Sequence, residues 1–194
     1  MITDNFNRTS LGTDWQTVLG AAWTIASNRA KPTSTFAMTM MRRAEGNFPD
    51  DQYSQAQCQA VLDRDSSLGG VAVRVDATGG NAYYAHLYSA GVLLYKRSST
   101  AGTSNLAFYS MSVSHLTFYL LKLVVTGGVL QVYVNGSLVI SATDTAPLSS
   151  GKPGLFASSG TTPPSFDDFE CTDAVSSGGG GGGSGARGTL LGVG

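Results

Sequence analysis

Leu130-Gln131-Val132-Tyr133-Val134-Asn135-Gly136-Ser137-Leu138-Val139-Ile140 is the stretch that decides how this chain folds. Leu130, Val132 and Val134 alternate with Gln131, Tyr133 and Asn135. A period of two puts one set on each face of a strand, as a half-buried sheet requires. Asn135-Gly136 then supplies the positive φ that both central residues of a type I′ turn need, so the two runs form a hairpin.

Outward from this hairpin the period stays at two. Ser54-Gln55-Ala56-Gln57-Cys58-Gln59-Ala60 alternates small and polar residues. Val71, Val73 and Val75 point one way, with Ala72, Arg74 and Asp76 on the other side. Tyr84, His86 and Tyr88 lie opposite Tyr83, Ala85 and Leu87. Leu121, Leu123 and Val125 alternate with Lys122 and Val124. Gly69-Gly70, Gly79-Gly80-Asn81, Ala90-Gly91 and Gly127-Gly128 mark turns between the runs. About a dozen short strands with no capped helical stretch predict an all-β chain folded as a two-sheet antiparallel sandwich. Val71, Val73, Val75, Leu121, Leu123, Val125, Val132 and Val134 are its expected core.

The chain has 194 residues, of which 13 % are charged, with a net charge of −1. Near-neutrality removes any electrostatic case for nucleic acid or an anionic membrane. Apolar runs such as Leu120 to Val125 are far too short to span a bilayer. The start, Met1 to Arg8, lacks a basic segment followed by an apolar one, so no secretory signal is expected. Synthesis in a cytoplasm follows, with exit by lysis or a non-classical route if the protein acts outside. Cys58 and Cys171 read first as two buried thiols, with a disulfide between them as the alternative.

Residues 1–174 form the expected domain, and residues 175–194 a Gly-rich linker with an apolar arm. Six glycines, Gly178 to Gly183, precede Leu190, Leu191 and Val193. Polyglycine loses much backbone entropy on ordering, so a fixed arm needs a partner. Leu190, Leu191 and Val193 are the candidate docking residues, and another subunit of an oligomeric assembly the candidate partner.

Several segments along residues 4–172 resemble the concanavalin A-like lectin/glucanase jelly rolls, in the laminin G-like variety of phage virion and bacterial surface proteins. Asp4-Asn5-Phe6-Asn7-Arg8 with Asp14-Trp15 is similar to the opening strand and turn. Phe48-Pro49-Asp50-Asp51-Gln52-Tyr53 resembles the entry to a long central strand. Leu130 to Gly136 resembles the late hairpin, and Phe166-Asp167-Asp168-Phe169-Glu170 the closing strand. The resemblance implies a jelly roll, and a structural calcium ion where the first and last strands meet, with Asp4 and Asp168 at the matching positions. It also implies that an enzyme of this kind would carry glutamates in a Glu-x-Asp-x-(x)-Glu pattern.

The chain has only two glutamates, Glu45 and Glu170, and neither sits in such a pattern. Asp63 and Asp65 share a strand face but lie beside a loop, and His86 and His115 have no triad partners. A non-enzymatic protein is therefore expected. Sugar binding needs aromatic faces and planar polar groups, and Arg74, Tyr84, His86 and Tyr88 are the candidate cluster. The leading expectation is a structural or attachment protein on a phage-like particle, with glycans as possible ligands. The alternative is a lectin-like carbohydrate-binding module at a cell surface or outside the cell.

Overall fold

Period-two alternation resolves into two stacked antiparallel sheets. The computed structural model describes residues 1–33, 38–62, 68–158 and 162–172, which hold fifteen strands and no helix. One sheet has eight strands. Its order is β13 (Ser137–Thr143), β12 (Val129–Val134), β11 (Phe118–Thr126), β6 (Gln52–Gln59), β15 (Phe166–Cys171), β4 (Ala30–Pro32) and β3 (Trp23–Ile25), with β1 (Ile2–Asp4) also paired to β15. The other sheet has seven. Its order is β10 (Gly102–Ser110), β9 (Gly91–Ser98), β8 (Ala82–Tyr88), β7 (Leu68–Val75), β14 (Lys152–Ser158), β5 (Met38–Arg43) and β2 (Trp15–Leu19). Asn135 and Gly136 join β12 to β13 with φ of 49° and 84°, the left-handed pair that the hairpin reading requires.

The core lies between the sheets. Val71, Val73, Leu121, Leu123, Val125, Leu130, Val132 and Val134 are buried there with Phe6, Phe166 and Phe169. Central strand β6 sends Ser54, Ala56 and Cys58 inward, with Gln52 buried at its start and hydrogen-bonded to Pro49 O and the Arg74 N–H, while Tyr53, Gln55, Gln57 and Gln59 point out. Trp23 ties the layers together, its Nε1 donating to Thr39 of the opposite sheet at 3.0 Å. At the N-terminal end both Asp4 oxygens accept the Arg8 guanidinium at 2.6 Å, and Trp15 Nε1 donates to the same carboxylate at 2.7 Å. Trp15 packs edge-on to Phe169, with ring centroids 4.7 Å apart.

Val75 departs from the expectation. It is buried, but in a second apolar cluster on the opposite face of the seven-stranded sheet, with Met40, Ala72, Tyr84 and Phe156. The cause is a bulge. Lys152 pairs with Val75 and Gly154 with Ala72, so three residues of β7 oppose two of β14. Arg74 sits in that bulge at φ 50°, and the alternation changes phase there.

Cys58 and Cys171 are both buried, and no disulfide joins them. Register gives the reason. Cys58 lies opposite Phe166 and Cys171 opposite Ser54, four residues apart along β6. That is about 13 Å, twice the reach of a disulfide. The arm with Leu190, Leu191 and Val193, and the pair Asp63 and Asp65, lie outside the described residues.

Val132 is fully buried at the centre of this core. Val132→Ala should lower unfolding stability by about 2 kcal/mol through lost burial and a residual cavity. Urea denaturation measures this, and an unchanged midpoint would contradict the placement.

Candidate functional site

The outer face of the eight-stranded sheet is open, and the register of its strands composes it. Tyr133 pairs with Lys122, Lys122 with Gln55, Gln55 with Glu170 and Glu170 with Thr3. One row of side chains thus crosses β12, β11, β6, β15 and β1, about 19 Å at the usual strand spacing. The flanking rows bring Gln131, Val124 and Tyr53 to one side, and Leu120, Gln57 and Asp167 to the other. Apart from exposed Thr3, all of these are half-buried, because each packs against its cross-strand neighbours while its tip meets solvent.

Two connected depressions lie along this face. One, of about 580 Å³, is lined by Asn5, Arg8, Asp14, Gln57, Asp168 and Glu170. The other, of about 360 Å³, is lined by Lys122, Gln131 and Tyr133. Gln55 and Leu120 border both. Tyr53 stands on the same face, opposite Val124 of β11. Its hydroxyl donates to Glu170 Oε1 at 2.8 Å, and Lys122 Nζ lies 4.1 Å from its ring centroid. A second bulge shapes the acidic end. Asp167 pairs with Gln57 and Glu170 with Gln55, so three residues of β15 oppose two of β6, and Asp168 is exposed at φ 46°. Asp167, Asp168 and Glu170 all reach this end of the face.

The expected calcium position does not fit a cation. Burial raises the Asp4 pKa, but hydrogen bonds from Arg8, Trp15 and the Phe6 N–H outweigh it and hold the carboxyl below the usual range. Both oxygens already face N–H donors, one of them a guanidinium. A divalent ion would sit beside that positive charge. Asp168 lines the same depression, yet among the described residues no three His, Cys, Asp or Glu side chains are grouped to hold a metal ion.

The expected sugar platform is not an exposed surface. Tyr84 and His86 share a face of β8 as the alternation predicts, but each is only 2 % exposed. They stack with Phe156 and Tyr95. Tyr84 and Phe156 have centroids 4.1 Å apart, and His86 and Tyr95 5.6 Å. Residues two strands apart meet because Gly70 and Ala72 of the intervening β7 present almost no side chain. A Cβ on Gly70 would strike the Ala85 carbonyl and His86. Tyr88 alone is exposed. Arg74, turned by its bulge, leaves the ring cluster altogether. Its Nε donates to the Asp50 carbonyl at 2.8 Å and its guanidinium to Leu148 O, clamping two loops at the end of the sandwich.

Gln55, Gln57, Lys122, Gln131 and Tyr133 were not among the sequence candidates. Their signal was present: each is the polar member of an alternating run whose apolar members fill the core. What the alternation lacks is cross-strand register, which alone brings residues from positions 55 to 170 into one row.

No protein-family model matches this chain, and no curated protein sequence matches it. Solved structures do. The carbohydrate-binding module CBM66 from Bacillus subtilis superposes with a TM-score of 0.71 at 20 % identity, covering 83 % of this chain and 96 % of that one. A Bacillus subtilis protein with a galectin-like fold gives 0.67 at 16 % identity, covering 90 % and 96 %. A prokaryotic β-1,3-1,4-glucanase (lichenase) from a mouse hindgut metagenome gives 0.65 at 13 % identity, covering 90 % and 99 %. The fold is therefore a concanavalin A-like lectin/glucanase jelly roll. Identities this low carry the fold and nothing of the chemistry.

The buried ring stack has a titration consequence. Burial drives the His86 pKa down to about 4, against a smaller opposing effect of the contact with the Leu87 carbonyl. The folded protein therefore excludes a proton that the unfolded chain binds below about pH 6.5. Stability is fully present above pH 6.5 and falls as pH drops towards 4, by up to about 3 kcal/mol. His86→Phe, which keeps a ring in the stack, should flatten this slope in denaturation measured from pH 7 to 4. An equal slope in both proteins would show that His86 titrates freely.

Proposed function

We propose that this protein binds glycans on the outer face of its eight-stranded sheet and does not cleave them. It acts as a carbohydrate-binding module outside the cell, the alternative reading of the sequence. The observation that carries this is the row from Tyr133 to Glu170, flanked by Gln57 and Gln131, across two connected depressions. Planar amides donate and accept in one plane, as paired sugar hydroxyls require. Tyrosine rings offer apolar area with a polar tip. The CBM66 likeness supports this reading, since that module's length is almost wholly covered by this one domain.

Binding rather than hydrolysis is supported by the glutamates, since Glu170 accepts the Tyr53 hydroxyl and Glu45 is exposed in the connection from β5 to β6. Cleavage can also use aspartates, and Asp14 and Asp168 share the larger depression with Glu170, so an assay for released reducing sugar decides between the two. The particle-attachment reading rests on the C-terminal arm, outside the described residues, and no observation of the fold adds to it.

A glycan array followed by calorimetry tests the proposal. Weak, saturable binding is expected for at least one glycan class. Gln55→Ala and Tyr133→Ala should each weaken it about tenfold, the effect of one lost hydrogen bond or ring contact. Binding unaffected by either change, no binding to any glycan, or sustained release of reducing sugar would refute it.

A further inference from the structure

We infer that the groove selects a glycan carrying one anionic group, a carboxylate or a sulfate, seated against Lys122. This rests on the glycan-binding reading of the same face. Lys122 lies in the middle of the sheet, between Gln55 and Tyr133 at one register. Its side chain is half-buried, the stem lying along the sheet. Yet among the described residues no carboxylate lies within ion-pair distance of it. Arg8, Arg29, Arg43, Arg74 and Lys96 each have one within 4.0 Å. Among the described residues the Tyr53 ring lies against the Lys122 ammonium, 4.1 Å from its centroid to Nζ, and Lys122 itself lines the smaller depression.

The surroundings fix the sign and number of charges. The smaller depression holds Lys122 as its sole ionisable group apart from Tyr133, lined otherwise by amide, apolar and glycine residues. Across Gln55 the larger depression is acidic on balance, with Asp14, Asp168 and Glu170, while the Arg8 guanidinium that also lines it is paired with Asp4. Glu170 makes no ion pair with Lys122 within 4.0 Å; its carboxylate accepts the Tyr53 hydroxyl, and β6 lies between the two strands. One end of the groove thus holds a cation with no carboxylate within 4.0 Å among the described residues, and the other end is acidic. A glycan with a charge on every residue would place anions against the acids. A glycan with one anionic sugar satisfies both ends, neutral rings lying over Gln55 and beyond. A carboxylate or sulfate at Lys122 makes a charge-assisted hydrogen bond, stronger than the neutral bond a hydroxyl would make there.

The test uses the full chain and matched oligosaccharides that differ only at one terminal sugar: a neutral hexose, the corresponding hexuronic acid, or the sulfated hexose. Calorimetry at low salt should show at least one anionic member binding about tenfold more tightly than the neutral one, a gap that narrows at 0.5 M salt. The acid and sulfate arms identify which anion the site takes. Lys122→Met should collapse the difference to less than twofold, and Lys122→Arg should retain it. Equal binding of all three sugars, or a preference that survives Lys122→Met, overturns the inference while leaving the glycan reading intact. No binding by any member of several such sets, or by the glycan array, overturns both.

Discussion

The pairing of β6 between β11 and β15 is the constraint on which the molecule turns. A central strand must serve two environments at once. Its inward side chains, Ser54, Ala56 and Cys58, are small, so the larger Leu121, Leu123 and Phe166 of its neighbours fill the core around them. Its outward side chains are Tyr53 and three glutamines, Gln55, Gln57 and Gln59, polar at their tips and too neutral to repel one another. A slip of one residue would send the amides inward and Cys58 to solvent. Register is therefore held by the core, and the groove inherits its order from that requirement.

The two outer faces show how differently one fold can use equivalent surfaces. On the seven-stranded sheet, Gly70 and Ala72 leave a trough over which Tyr84, His86, Phe156 and Tyr95 stack. That face is filled by the chain's own side chains and behaves as a second core. On the eight-stranded sheet the central positions carry Gln55, Gln57 and Lys122, which cannot close over one another, and the face stays open. Aromatic content alone points to the filled side of the sandwich. The open side carries polar residues, some bonded to one another, as Tyr133 is to Gln131 and Tyr53 to Glu170.

Much of this architecture was legible in the sequence because alternation is local. The hairpin at Asn135-Gly136, the inward rows of β11 and β12 and the sandwich itself follow from runs of five to eleven residues. The misplacements come from features that alternation cannot encode. A bulge at Arg74 reverses the faces of one strand and moves both Val75 and Arg74 from their expected sides. A bulge at Asp168 gathers three acids at one end of the groove. Asp4 read as an oxygen ligand because its partners, Arg8 and Trp15, reach it only after the turn between them closes. Each is a relation between strands or across a turn, fixed by packing rather than by neighbours in the chain.

The placement of the aromatic residues also determines what light can report about this protein. Both of its tryptophans, Trp15 and Trp23, are sealed in the core and held by hydrogen bonds to Asp4 and Thr39. Among the described residues no indole lines the two depressions; Tyr133 lines the smaller one and Tyr53 stands on the same face. Indole emission is thus first a gauge of the folded interior, with Trp15 joined to the larger depression through Asp4. The eight phenols are spread more widely, with Tyr83 in the core and Tyr84 and Tyr95 stacked on the opposite face. Within one molecule the indoles watch the integrity of the sandwich, and the phenols sample the core and both outer faces at once.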